Sequence, residues 1–529
     1  MNKKIFVSLL LITAVGLLLH FYKINQSPPC LNADEASFAY NAYSILKTGK
    51  DEYGTLFPLR LKSFGDYKMP LMTYLSIPFI AIFGLNEFSI KLLNSVIILF
   101  FPFVVYSFSR QFFKNKNISL LAALLSVLSW GIQSMGRQLH EALLTSFLVM
   151  LSALFFIKAI EEKKYRYKLI FLLSVFFSLF SYQSSRVFAL FFFIYVLYYW
   201  IKKRFSLKFF IAFISILIIF GITDLKYKPT RVVNLLFFNN LGFNLEIDQL
   251  RAEDGPRFLY NKLTVGLKDV VYNYLKYFSP QFLITNGDEN FRFGFPGLSP
   301  LTLVEYCFFL IGVYYLIKHK TRWRFYLIAL LLVSPLTASL SWNTGSLTRS
   351  FFVLIPILII ISYGVVNFIQ ILNGKNRIIF YIILAASYLF FIFYNWDFYL
   401  NHYPKRGVVI QSWQCGYKQL TDYIRQNYSK YQSFYISKEH GEPYIFFLFY
   451  LRYPPNKYQT QARLSPPDQY GFGQIEKFDK FDFTFKLPKN GSNFVSVAYP
   501  HDFKGQVDET LIKKIKVRNE EIFWIYSVE

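Results

Sequence analysis

Long apolar runs dominate the pattern of this chain. From Ile5 it reads IFVSLLLITAVGLLL, and from Phe351 it reads FFVLIPILIIISYGVVNFI. Such runs are continuous rather than alternating, and about 20 apolar residues in helical form span a bilayer, so they predict membrane-crossing helices. Short basic clusters separate them: Lys114 with Lys116; Lys163, Lys164, Arg166 and Lys168; Lys202, Lys203 and Arg204; Lys318 to Arg324; and Lys375 with Arg377. Lys and Arg are retained on the cytoplasmic side of short loops. Placing every cluster inside, together with the N-terminus, predicts about 11 spanning helices and an external C-terminus.

Three outer segments then hold most of the polar sequence: Ile24 to Glu87, Asp224 to Leu298, and Asp397 to Glu529. Leu71 to Leu85, apolar but interrupted by Pro78, reads as a re-entrant or interfacial helix, because one more crossing there would export the basic clusters. The tail alternates strand-like SFYIS and NFVSVAY with a helix-like EPYIFFLFYL and Pro, Gly and Asn turns. The expected architecture is a mainly α, polytopic transmembrane domain over residues 1–396, with its first outer loop at 24–87 and a second at 224–298, followed by a small external α/β domain over 397–529. No internal repeat is present.

Composition agrees with a membrane protein. The 529 residues are 54% hydrophobic, 21% aromatic and only 17% charged, outside the usual range of soluble domains. The net charge of +25 resides in loop clusters, which removes the case for a nucleic-acid partner. Cys30, Cys307 and Cys415 stand far apart, match no zinc, haem or thioredoxin spacing, and read as packing residues rather than a disulfide framework. Met1 to Lys4 and the apolar run behind them look like a signal peptide, yet His20-Phe21-Tyr22-Lys23 lacks a small-residue cleavage site. An uncleaved first helix is expected, in the cytoplasmic membrane.

Candidate chemistry gathers at outer helix ends. Asn32-Ala33-Asp34-Glu35-Ala36 opens a stretch whose Phe38, Tyr40, Tyr43 and Leu46 suit a helix lying on the membrane surface. Asp34 and Glu35 are two carboxylates suited to proton transfer. The competing reading is helix capping, since Asn32 followed three residues later by Glu35 is a capping-box pattern. In Ser63-Phe64-Gly65-Asp66-Tyr67-Lys68-Met69-Pro70-Leu71, Lys68 is placed to hold a phosphate or, alternatively, to snorkel at the headgroup level, with Asp66 and Tyr67 beside it. Arg137 and Glu141, with His140 between them, are spaced i,i+4 and are expected on one helix face, as a functional or a structural ion pair. Asp288 and Arg292 lie in Asn286-Gly287-Asp288-Glu289-Asn290-Phe291-Arg292, which also reads as a polar turn. Arg349 is the last candidate cation, with an interfacial anchor as its competing reading.

These pieces resemble the C-type membrane glycosyltransferases, within them the family of protein O-mannosyltransferases and lipid A aminoarabinose transferases. The resemblance covers nearly the whole chain and rests on Asp34-Glu35, Lys68-Met69-Pro70-Leu71 and the Arg137 to Glu141 segment. Family members often carry a second proline at the place of Met69 and Asp at the place of Glu141. Tyr277-Phe278-Ser279-Pro280 through Asp288 and Arg292 also looks like bacterial members of the family. The resemblance implies a sugar donor on a polyprenyl phosphate, an extracytoplasmic acceptor (protein, lipid A or cell-wall glycan), and inversion at the anomeric carbon. Asp34 would be the base, and Glu35 and Glu141 would orient Asp34, the acceptor or an arginine. Lys68, Arg137, Arg292 and Arg349 would face the departing phosphate. No obligatory metal is expected. An all-carboxylate Mg or Mn site at Asp34 is the one metal arrangement the residues allow, because no His or Cys cluster has ligand spacing. A polysaccharide polymerase or ligase and a lipid-sugar flippase are the alternatives; the acidic pair after helix one argues against the first, and charges at helix ends rather than mid-membrane argue against the second.

Overall fold

The computed structural model describes every residue except 1, 228–235, 343, 440, 467–474, 490–492 and 528–529. Part of the second outer segment and part of the tail therefore lie outside the described residues. The chain divides into two compact units: Met1–Tyr22 with Asn94–Tyr399, and Lys23–Leu93 with Leu400–Glu529.

The first unit is helical. Among the described residues, six helices of the chain are long and apolar enough to cross a membrane, including Lys3–Phe21 (α1), Glu141–Glu161 and Gly374–Asp397. A seventh crossing arises if Lys116–Leu128 and Trp130–Gly136, bent by 55° at Ser129, form one span. The apolar residues divide between lipid-facing and protein-facing positions. Leu11 and Leu18 of α1 are exposed, as is Phe393 near the end of the Gly374–Asp397 helix, whereas Phe156, Phe171, Phe192 and Tyr326 pack ring against ring in the interior. That use of large flat side chains is where the high aromatic content goes. Helices Leu303–Lys318 and Leu354–Ile371 touch backbone to backbone: a Cβ on Gly364 would collide with the Phe308 carbonyl, and one on Gly312 with that of Ile360. Small residues at a crossing are the device that packs membrane helices without a hydrophobic driving force between them.

The second unit joins the first outer loop to the tail. Among the described residues its sheet has seven strands, in the order Arg463–Leu464, Ile475–Phe478, Phe481–Asp482, Ser433–Ile436, Phe494–Ala498, Glu520–Tyr526 and Lys513–Val517. Ser433–Ile436 is parallel to both of its neighbours; the other pairings are antiparallel. Against this sheet's unit packs Ala33–Thr48 (α2), whose Tyr40 hydroxyl donates to the Tyr453 carbonyl at 3.0 Å and whose Phe38 and Tyr40 are buried. The expectation of a helix with its apolar face on lipid is corrected for its first part: Tyr453 and Tyr458 of the tail cover Tyr40, while Leu46 stays exposed. Leu71–Phe83 (α3) is helical through Pro78, as the apolar stretch predicts.

The cysteines require a second correction. Cys30 and Cys415, 385 residues apart, form a disulfide with Cα atoms 5.6 Å apart, while Cys307 is free and exposed. Spacing rules detect ligand pairs one or two residues apart, and they say nothing about partners that only the tertiary fold brings together.

Candidate active site

Helix α2 begins where its capping residues dictate. The Asn32 side chain accepts from the Glu35 amide at 3.1 Å, and Glu35 Oε2 accepts from the Asn32 amide at 3.1 Å and from Asn32 Nδ2 at 3.0 Å. Both capping partners are buried. This reciprocal box satisfies donors that a helix start leaves orphaned, and it ends at Gly49, whose positive φ of 70° closes the last turn. The consequence is a division of labour between adjacent acids. Glu35 is committed to the cap, whereas Asp34, about 100° further round the helix, points elsewhere.

Asp34 meets Lys68. Residues Leu61–Ser63 and Asp66–Lys68 pair as a two-stranded hairpin, Ser63 opposite Asp66 and Leu61 opposite Lys68. Phe64 and Gly65 make its tip, both with positive φ (53° and 82°), the signature of a type I′ turn whose twist matches the flanking strands. Ser63 Oγ lies 2.7 Å from Ser37 Oγ and docks the hairpin on α2. Lys68 Nζ then reaches Asp34 Oδ1 at 2.6 Å and sits 4.9 and 4.6 Å from the ring centres of Phe38 and Phe64. Lys68 is nearly enclosed, with a side-chain exposure of 11%, and Asp34 keeps 35%. Asp66 is buried at the turn, and Tyr67 is half-buried.

Sequence reasoning passed over a third carboxyl in this unit. Glu52 lies in the loop after α2, fully enclosed, its amide held by Asn41 Oδ1 at 2.9 Å. The Tyr444 hydroxyl approaches Glu52 Oε1 at 3.5 Å, and Oε2 has no hydrogen-bond partner. Burial pushes this carboxyl up to about 8, reinforced by the charge of Asp51 and opposed by a hydrogen bond with Asn41 and by the charge of Lys68. At neutral pH it is mostly the protonated acid. Its only signal in the sequence is the pair Asp51-Glu52, indistinguishable from a solvated turn.

The other candidates lie in the helical unit. Arg137 is fully buried and forms no shared helix face with Glu141: the Trp130–Gly136 helix ends just before it, and a new one starts at Glu141 with His140 as N-cap, its Nδ1 accepting from the Ala142 amide at 3.0 Å. The expected i,i+4 arrangement fails because helical spacing holds only within an unbroken helix. Instead Arg137 donates to the carbonyls of Leu19 and His20 at 2.9 and 2.6 Å and of Tyr22 at 2.9 Å, closing the end of α1. Its guanidinium also faces the rings of Trp396 and Tyr399. Asp288 accepts from the amides of Asn290 at 2.8 Å and Leu347 at 2.6 Å, and burial pushes it up to about 6 despite those bonds and the nearby charge of Arg349. Arg349 Nη1 donates to Ser341 Oγ at 2.8 Å, and the Ser346 amide donates to the Tyr277 hydroxyl at 3.1 Å. Asp288 thus holds Leu347, and Arg349, two residues further on, holds Ser341. Arg292 stacks on Phe293, whose ring meets His140 edge-on at 5.2 Å, near Glu141.

For a metal, the described residues offer one group of three possible ligands within 4.8 Å of one another, Glu439, His501 and Asp502. Asp34 is not among them, and the Lys68 ammonium stands against its Oδ1 at 2.6 Å.

Residues 68–223 match the sequence pattern of the dolichyl-phosphate-mannose-protein mannosyltransferase family. No curated protein matches the chain in sequence. Among solved structures, ArnT from Cupriavidus metallidurans bound to undecaprenyl phosphate is similar over 99% of this chain and 98% of its own, with a TM-score of 0.56 and 11% identity. The apo form of ArnT aligns over 97% and 96%, with a TM-score of 0.52 and 10% identity. The oligosaccharyltransferase AglB from Archaeoglobus fulgidus, in complex with an inhibitory peptide and a dolichol-phosphate, is a looser likeness (TM-score 0.48, 11% identity, 84% of this chain), and the chain spans only 63% of its length. The mannosyltransferase pattern thus covers Lys68 to Thr223, and the fold of the chain is similar to that of ArnT along nearly its whole length.

Proposed function

We propose that this protein is an inverting glycosyltransferase that moves a sugar from a polyprenyl-phosphate carrier to an acceptor outside the cytoplasmic membrane. The observation that carries the reading is the Asp34–Lys68 pair, an accessible carboxylate held against an enclosed ammonium while the neighbouring Glu35 is occupied by the helix cap. Without donor, Lys68 neutralises Asp34. A donor phosphate arriving beside Lys68 competes for its charge and leaves Asp34 able to accept a proton from the acceptor's hydroxyl or amine. That group attacks the anomeric carbon, the sugar–phosphate oxygen bond breaks on the opposite face, and the carrier phosphate leaves with its electron pair. Phosphate needs no protonation to depart; a cation where negative charge grows lowers the barrier.

The disulfide supports an external position for the unit that holds Asp34, since such bonds persist in oxidising compartments and are rare in the cytosol. The undecaprenyl phosphate named with ArnT supports a lipid-linked donor. The test is transfer by purified protein in nanodiscs, read as carrier phosphate released only when acceptor is present. Asp34→Asn keeps the side chain's size but cannot take the proton, and is expected to lower the rate by about 100-fold to 10,000-fold without loss of fold. Near-normal transfer by that variant would remove Asp34 from catalysis.

A further inference from the structure

We infer that Gln414 and the Cys30–Cys415 disulfide are positioning elements of the transferase, forming a redox latch that sets the start of α2 and with it Asp34. This rests on the transferase reading above. The N-terminal turn of α2 is held at three successive points around Asp34. Ala33, one residue before it, donates its amide to Gln414 Oε1 at 3.1 Å; Glu35, one residue after it, is held by Asn32; and Cys30, four residues before it, is bonded covalently to Cys415. The first of these would otherwise be an orphan helix donor, so a side chain from the tail completes the cap of a helix in the first loop.

The 413–416 segment is built for this contact at a conformational cost. Gln414 has φ 56°, left-handed backbone that a side chain other than Asn, Asp or Gly adopts rarely, and Gly416 follows at φ 103°. Trp413, completely enclosed, anchors the segment through an indole N–H donating to the Tyr403 hydroxyl at 2.8 Å. Gly441 passes so close that any Cβ there would collide with the Gln414 amide nitrogen. Strain of this kind persists where the surroundings over-determine it, and it concentrates at functional sites. Here it turns the Gln414 carboxamide toward the helix start.

Cys415 is buried and Cys30 is half-buried, so a reductant approaches the bond from the Cys30 side. Closing the latch converts two thiols to one disulfide, releasing two protons and passing two electrons to a disulfide or quinone-linked oxidant of the external compartment. A trialkylphosphine opens it, taking oxygen from water to become the phosphine oxide and leaving two thiols. A carboxylate base displaced by about 1 Å loses on the order of 100-fold in rate, whereas Lys68, relieved of its partner, still offers its ammonium to the donor phosphate.

The experiment compares purified protein in nanodiscs in its oxidised form, after phosphine, and after reoxidation with oxidised glutathione, together with oxidised Gln414→Gly. Reduction is expected to lower kcat at least 10-fold with donor KM unchanged or lowered, and reoxidation to restore it. Gln414→Gly removes the cap but relieves the left-handed backbone, so kcat is expected to fall while the melting temperature holds or rises. A merely structural role would move rate and stability in the same direction. Active oxidised protein with unchanged kcat after reduction, or in Gln414→Gly, would overturn the latch and leave the transferase reading standing. Oxidised wild type without transfer would overturn that reading, and the latch with it.

Discussion

Replacing Glu52 with Gln is expected to remove most of the pH dependence of this protein's stability between pH 5 and 8. Glu52 titrates at 4.5 when exposed and at about 8 in the folded protein, because burial penalises its charged form. The sign follows from proton binding: between those values the folded state holds a proton that the unfolded state has released. The stabilising effect is therefore fully present below pH 4.5 and is lost as pH rises toward 8. At about 1.4 kcal/mol per pH interval, the loss is about 3 kcal/mol by pH 7 and about 5 kcal/mol by pH 8. Glu52→Gln keeps the volume and the acceptor for Tyr444 but cannot ionise. Wild type and variant should be nearly equal at pH 5, and the variant should be the more stable at pH 8.5. The assay is thermal unfolding in nanodiscs from pH 5 to 9, with hydrogen exchange of residues 41–56 to show that the change is local. A stability difference independent of pH, or a variant less stable at pH 8.5, would refute a buried neutral Glu52.

Glu35→Ala breaks the capping box and strands two buried donors of Asn32; thermal unfolding should report a loss of about 1–3 kcal/mol, with transfer reduced far less than in Asp34→Asn. Arg137→Ala leaves three carbonyls at the end of α1 without their charged donor and should cost about 3 kcal/mol or more, seen as lost folded yield and a lowered melting temperature rather than as a change in donor KM. Gly364→Ala forces apart two helices in backbone contact and should destabilise by about 1–3 kcal/mol, whereas Gly221→Ala, with nothing near its new Cβ, should be neutral or slightly stabilising in the same melting assay.

Local signals carried much of this fold. Apolar runs long enough for hydrocarbon became helices, Asn32 and Glu35 became a capping box, and SFYIS and NFVSVAY became neighbouring strands of one sheet. Each of these depends on residues a few positions apart, where hydrogen-bond geometry and side-chain period are properties of the chain itself. The carboxylate pair was legible for the same reason, but not its division of labour, because a capping box and a catalytic acid use the same residue types. What the tertiary structure alone decided was which distant groups met. It put Lys68 on Asp34, closed Cys30 on Cys415, enclosed Glu52 until its acid form prevailed, and turned Arg137 onto the carbonyls of α1 rather than onto Glu141. Burial and charge proximity set those outcomes, and neither is a function of sequence separation.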